Sequence, residues 1–214
     1  MTASSEGLFI TIEGIDGSGK STQSERLCQW LEDVLGPGRV LRTFEPGGWS
    51  GGELLRRLLL GGTTLTSRTE LLLFLADRSG HLDKEILPAL AQGRWVVCER
   101  YTDSTLAYQS WGRGIAYEKI KGLLDWCGFP EPDGTILLDV NEETAWSRLK
   151  RRGEADRMES GGADFMARVV KGYRELARRD SNRIMVLDGT ASAEHVAERL
   201  CLRVEERFGK RMRF

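Results

Sequence analysis

Gly14-Ile15-Asp16-Gly17-Ser18-Gly19-Lys20-Ser21, directly behind the run Leu8-Phe9-Ile10-Thr11-Ile12-Glu13, decides the fold. The spacing G-x-x-x-x-G-K-[ST] after a strand-like segment predicts a strand, a phosphate-cradling loop and a helix in succession. Consecutive backbone N–H groups in such a loop converge on an anion, and its glycines allow positive φ and close approach of the main chain. Lys20 would reach the β and γ phosphates and Ser21 would give its hydroxyl to Mg²⁺. The following helix, continuing through Thr22, turns its positive dipole end toward the same charge. The plain alternative is a glycine-rich turn, but the full pattern in this setting favours a user of nucleoside triphosphates.

Working outward, the chain alternates strand and helix signals, which favours a parallel sheet covered on both faces. Leu27, Trp30, Leu31 and Val34 recur at helical spacing until Gly36-Pro37-Gly38 stops them. Arg39 to Phe44 reads as a second strand. Ser67 and Glu70 are spaced as a capping box ahead of Leu71-Leu72-Leu73-Phe74-Leu75. Trp95-Val96-Val97-Cys98, Thr135-Ile136-Leu137-Leu138 and Ile184-Met185-Val186-Leu187 suit buried strands, and they run into Glu99, Asp139 and Asp188. Ligands of open parallel sheets bind beyond the carboxyl ends of the strands, so those positions are candidates. The expected fold is α/β: one phosphate-loop kinase domain over residues 1–214, a central five-stranded parallel sheet flanked by helices, with a mobile lid at about 148–160.

Composition narrows the class. With 214 residues and 40% hydrophobic content, the chain can bury a sizeable core. Its 31 Lys and Arg balance 32 Asp and Glu, so no global field recruits nucleic acid or an anionic membrane. The polar opening Met1-Thr2-Ala3-Ser4-Ser5-Glu6 lacks the layout of a secretory signal, and no apolar run is long enough for a bilayer; a cytoplasmic location is expected. Cys28, Cys98, Cys127 and Cys201 are isolated and read as buried reduced thiols rather than a disulfide frame or zinc site, and His81 and His195 are too few for a histidine-rich metal centre.

Three clusters give the loop its chemistry. Glu99 could hold a water on Mg²⁺ and Arg100 could clamp phosphate oxygens with its planar fork, although a plain strand-end ion pair is an equal reading. Phe74 and Arg78, at i and i+4, share a helix face and suit stacking on a nucleobase and bonding to its edge; Phe74 equally suits a hydrophobic core. In Arg148-Leu149-Lys150-Arg151-Arg152-Gly153-Glu154-Ala155-Asp156-Arg157, Arg148 and Arg152 share a face and Gly153 permits a break before Arg157. Such a segment fits a lid whose arginines meet the charge that spreads over a transferring phosphoryl group, where the bland reading is a solvated helix face.

Together these residues resemble the thymidylate kinase family in its bacterial form, over nearly the whole chain. The most specific stretch is Glu99-Arg100-Tyr101-Thr102-Asp103-Ser104-Thr105-Leu106-Ala107-Tyr108-Gln109, similar to the family's D/E-R-Y/H-x-x-S-x-x-A-Y-Q signature, with Glu45-Pro46-Gly47-Gly48 and Phe74-Leu75-Ala76-Asp77-Arg78 in the matching places. The resemblance implies transfer of the γ-phosphoryl of ATP to dTMP, giving dTDP and ADP on the way to dTTP, with Mg²⁺ as cofactor and a homodimer as the assembly. It assigns Phe74 to stacking on thymine, Arg78 to its carbonyl edge, Thr105 and Gln109 to the base pocket, and Tyr108 to the sugar's 2′ position. Asp16 would accept from the 3′-hydroxyl, Arg100 would bridge the two phosphates, and Glu45, Pro46 and Ser104 complete the acceptor side. Gly189 and Thr190 border adenine, while Ser21 and Glu99 serve the metal. Lys20, Arg100, Arg148, Arg152 and Arg157 would carry the transition-state charge.

The chain also departs from that pattern. Phe44 stands where relatives carry a phosphate-binding arginine before Glu-Pro-Gly-Gly, and Arg42, two residues back on the same strand face, is expected to reach inward in its place. Trp49 replaces a small polar residue, and Ser110-Trp111 interrupts a glycine-rich stretch, which bears on loop mobility. Two rivals remain: a kinase for another nucleotide or nucleoside, and a nucleotide-dependent switch. The guanine-reading N-K-x-D motif of the latter is absent.

Overall fold

The computed structural model describes residues 7–152 and 162–212, with the side chains of Arg151 and Arg152 outside that description. Five strands, β1 (Phe9–Glu13), β2 (Val40–Phe44), β3 (Trp95–Glu99), β4 (Gly134–Asp139) and β5 (Ile184–Asp188), form one parallel sheet in the order β2-β3-β1-β4-β5. Register pairs Ile12 with Glu99, Glu13 with Leu137, and Asp139 with Asp188, so the acidic strand ends lie along one edge. The chain steps to one side of β1 for β2 and β3 and to the other for β4 and β5. A crevice therefore opens at the carboxyl end of β1, where the phosphate loop leaves.

Helices α1 (Lys20–Leu35), α2 (Gly52–Leu60), α3 (Ser67–His81), α4 (Leu87–Ala91), α5 (Thr102–Thr105), α6 (Tyr117–Cys127), α7 (Glu142–Arg152), α8 (Gly162–Arg179) and α9 (Ala193–Met212) cover the sheet. The alternation of β1 divides the core. Leu8, Ile10 and Ile12 pack with Leu27 and Leu31 of α1 and with Val196, Leu200 and Val204 of α9. Phe9 turns to the opposite face with Leu82, Ile86 and Tyr101. A further cluster joins Leu71 and Leu75 of α3 to Tyr108 and to Val169, Tyr173 and Leu176 of α8. Among the described residues, no helix is long and apolar enough to cross a membrane.

Two helical stretches, Leu82–Ile86 after α3 and Leu106–Gly112 after α5, wind as π-helix. The second carries Tyr108 and Gln109, a common setting for functional side chains.

The capping box expected at Ser67 and Glu70 is a misreading. The cap of α3 is Thr66, whose hydroxyl accepts from the Thr69 N–H at 3.2 Å. Glu70 is instead buried against residues 109 and 113. Spacing alone does not distinguish a carboxylate that turns back to its own helix from one that faces a neighbouring segment.

Candidate active site

Gly14, Gly17 and Gly19 adopt φ of 142°, 78° and 97°, the left-handed region that disfavours side chains. A Cβ on Gly17 would also lie 2.5 Å from the Ala145 carbonyl oxygen on α7. Lys20 opens α1 and donates to the Ile15 carbonyl at 2.8 Å. Burial and the nearby Arg100 charge lower the Lys20 pKa to about 8, against the opposing pull of Asp16 and the neighbouring glutamates. Ile15, Ser18 and Thr22 complete the loop and first turn, and the Ser18 N–H donates to the Ile15 carbonyl at 3.1 Å.

Asp16 ties this loop to the other half of the crevice. It accepts from Arg100 at 2.6 Å and from the Tyr108 hydroxyl at 3.1 Å. Burial raises its pKa, but Arg100 and Lys20 outweigh that and hold it at about 2. Arg100 follows β3 with φ 68°, an uncommon conformation for a side-chain-bearing residue. Donation to Ser104 and Tyr173, together with its N–H to Ile12, fixes it there. Beneath lies Glu13, which accepts from the backbone of Tyr101 and Ser104 and from both hydroxyls of Ser104 and Tyr173. Burial, aided by the Asp103 charge, raises the Glu13 pKa, which makes it a support for Arg100 rather than a solvent-facing acid.

The metal candidates meet. Ser21 donates to Glu99 at 2.7 Å, and Glu99 also accepts from Ser24 and Arg42. Burial raises its pKa, but these hydrogen bonds prevail and keep the carboxylate ionised to lower pH. An ionised carboxylate beside a hydroxyl suits a hard, oxygen-seeking cation, so the residues fit Mg²⁺. Asp139 and Asp188 do other work: the first pairs with Arg174, and the second accepts from the Thr190 N–H and hydroxyl. Arg148 donates to the Gly189 carbonyl at 2.8 Å and reaches the Gly17, Ser18 and Thr190 carbonyls at 3.4 Å, joining the loop to the segment after β5. Arg157 and residues 153–161 of the expected lid lie outside the described residues.

On the acceptor side, Arg78 is buried and donates to Glu45, Thr105 and the Tyr101 carbonyl at 2.8, 3.0 and 2.9 Å. Phe74 is half-buried and packs against the core cluster, as its core reading expects in part. Glu45, His81 and Cys98 bring ligand-type atoms within 4.8 Å of one another. Glu45 is already paired with Arg78, however, and His81 lies between Glu45 and Thr43 at 3.2 and 2.6 Å, so the group forms a hydrogen-bonded support for Arg78.

Arg42 makes its bonds away from the Glu45-Pro46-Gly47-Gly48 turn. Its donors go to Ser24, the Ser21 carbonyl and Glu99. Besides Arg78, which pairs with Glu45, the Glu45-Pro46-Gly47-Gly48 turn is met by Arg56 of α2, which lies over the Phe44 ring at 5.2 Å and donates to the Pro46 carbonyl at 2.6 Å. Within Arg56-Arg57 on an amphipathic helix it carries no local signal, and only the fold of α2 against this turn selects it. Trp49 pins the same turn: its indole and the Gly47 N–H both donate to Asp77 at 3.0 Å. The ring occupies space that a Cβ on Gly80 would enter at 2.5 Å. Trp111 likewise fits against Gly172 and meets Tyr117 edge-on at 5.7 Å.

A family model described as "Thymidylate kinase" matches residues 12–200. The chain belongs to the thymidylate kinase family. It is 47% identical to the thymidylate kinase of Alkalilimnicola ehrlichii, across 89% of this chain and 88% of that one. Identity to the thymidylate kinase of Thiobacillus denitrificans is also 47%, across 89% and 92%. The crystal structure of thymidylate kinase from Ehrlichia chaffeensis superposes with a TM-score of 0.79 at 34% identity, covering 93% of this chain and 98% of that one.

Proposed function

We propose that this chain transfers the γ-phosphoryl of ATP to dTMP, giving dTDP and ADP. The observation that carries the reading is Asp16: one side chain of the phosphate loop is bonded both to Arg100 and to Tyr108, so donor loop and acceptor wall are in direct contact. Lys20 and the loop amides hold the donor phosphates, and Arg100 stands between the two substrates. Phe74, Arg78, Thr105 and Gln109 take the base, Tyr108 bars a 2′-hydroxyl, and Asp16 accepts from the 3′-hydroxyl. Ser21 and Glu99 would hold Mg²⁺, which when bound screens the donor phosphates.

Little covalent work falls to the protein. An acceptor phosphate oxygen is already a competent nucleophile, so positioning and electrostatics supply most of the acceleration. Arg148 steadies the loop against the Gly189 and Thr190 segment that borders adenine, while Arg152 and Arg157 are proposed to supply charge from the lid. A coupled assay over dTMP, dUMP, dCMP, UMP and free thymidine with magnesium-ATP tests the reading; activity highest on any acceptor but dTMP would replace it.

Arg56 is proposed to meet the acceptor phosphate in the role that relatives give to the arginine before Glu-Pro-Gly-Gly. Arg56→Ala is expected to raise the KM for dTMP about tenfold, the loss of one charge-assisted bond, and Arg42→Ala less than threefold. Steady-state kinetics of the two variants with dTMP varied will show the reverse order if Arg42 is the clamp. A homodimer packed through helices is also proposed, supported by the exposed Leu54, Leu58 and Leu72 of α2 and α3, and sedimentation tests it. A cytoplasmic setting, rich in ATP and reducing toward the four free cysteines, completes the reading; Cys28 and Cys98 are buried as expected, whereas Cys127 and Cys201 are only partly so.

A further inference from the structure

Glu70, Phe74 and Arg78 recur at every fourth position of α3, which puts Glu70 on the face that carries the two base-pocket candidates. Its carboxylate is 1% exposed and has specific partners. Arg113 binds it with both sides of the guanidinium, Nε to Oε1 at 3.1 Å and a terminal nitrogen to Oε2 at 3.0 Å. Gln109 Nε2 donates to the same Oε1 at 3.0 Å.

That last contact fixes the sense of an amide whose two ends are otherwise interchangeable. A carboxylate clamped by a guanidinium only accepts, so the NH₂ end of Gln109 must face Glu70 and the carbonyl must face away. Among the described residues nothing donates to Gln109 Oε1, and the atom is not among the sealed, unpartnered polar atoms. The pocket therefore offers an acceptor there. Thymine and uracil carry a proton on N3 and can donate to it, whereas cytosine presents a lone pair on N3 and meets oxygen against nitrogen without a proton between them. A site whose polar group is matched to one base is left unpaired by the other, which is how such sites discriminate.

We propose that Glu70 is a specificity-determining positioning residue: braced by Arg113, it orients the Gln109 amide so that a carbonyl oxygen meets the base, selecting a pyrimidine protonated at N3 over cytosine. The inference rests on the acceptor pocket described above and adds to it the residue that sets its polarity. With Glu70 removed, the amide can turn over and donate to cytosine N3.

The test is the ratio of dissociation constants for dCMP and dTMP, measured by equilibrium competition in Glu70→Ala, Glu70→Gln, Gln109→Ala and the Glu70→Ala/Gln109→Ala double variant. Glu70→Ala is expected to lower the ratio at least ~10-fold, the worth of one matched polar contact. Glu70→Gln keeps the shape and offers both a donor and an acceptor, so it should lower the ratio by a smaller factor; it also serves if the alanine variant does not fold. Because Glu70 acts through Gln109, the double variant should match Gln109→Ala rather than multiply the two losses. An unchanged ratio in both Glu70 variants, or multiplied losses in the double, overturns the proposal while leaving the pocket in place. An unchanged ratio in Gln109→Ala overturns the pocket reading and this proposal together.

Discussion

Lys20→Ala is expected to lower kcat at least ~10³-fold, since the side chain is the phosphate loop's only cation and removal of one preorganised charge donor costs on that scale. Lys20 is already held in place by the Ile15 carbonyl, so it pays little to reorganise when charge develops on the donor phosphates. A single-turnover assay with dTMP and magnesium-ATP measures the loss directly, and a variant that retained activity within about tenfold of the parent would take Lys20 out of the mechanism. The same residue sets a pH limb. Its free-enzyme pKa is lowered to about 8 by burial and Arg100, so the cation is complete below that value and is lost as the pH rises through it. The kcat/KM for ATP should therefore fall on the alkaline side, about tenfold per pH unit beyond the break, whereas kcat should hold to higher pH because bound phosphate favours the charged lysine.

Arg78→Met is expected to destabilise the fold by about 3–5 kcal/mol, measured by urea unfolding, because it leaves the Glu45 carboxylate buried without its guanidinium. Arg78 and Glu45 are 2% and 3% exposed at 2.8 Å, so water cannot take over the lost interaction. Pairing the change with Glu45→Gln removes the orphaned charge and should recover a large part of the loss. The dTMP kcat/KM should drop at least ~100-fold in either case, since the proposed base-edge donor is gone. A single variant within about 1 kcal/mol of the parent would mean that His81, itself held by Thr43, is enough to satisfy Glu45.

Much of this molecule is legible in one dimension because it depends on local rules. The loop Gly14–Ser21 declares itself by glycine spacing, since positive φ and close approach leave glycine as the residue that fits. The apolar runs of β1, β3 and β4 are legible because both faces of a covered parallel sheet are buried, whereas β5, expected to be buried as well, is an edge strand with Val186 exposed. Phe74 and Arg78 were paired by helical period alone. The misreadings share a cause. Glu70 matched a capping pattern, yet its partners, Gln109 and Arg113, lie 39 and 43 residues away. Arg42 is near in sequence to the missing arginine yet bonds Glu99, while Arg56 reaches the Pro46 turn from the next helix.

The amino-acid order by itself determined the phosphate loop, the parallel α/β arrangement and the family, all of which rest on backbone conformation and periodicity within a few neighbouring residues. Tertiary structure alone decided which partner each arginine takes: Arg42 Glu99, Arg56 the Pro46 carbonyl, Arg78 Glu45 and Arg113 Glu70. Thirty-one cations and 32 acids offer far too many pairings for spacing to choose among, and only packing, by excluding water from some pairs and bringing their atoms within 3 to 4 Å, singles out those that matter.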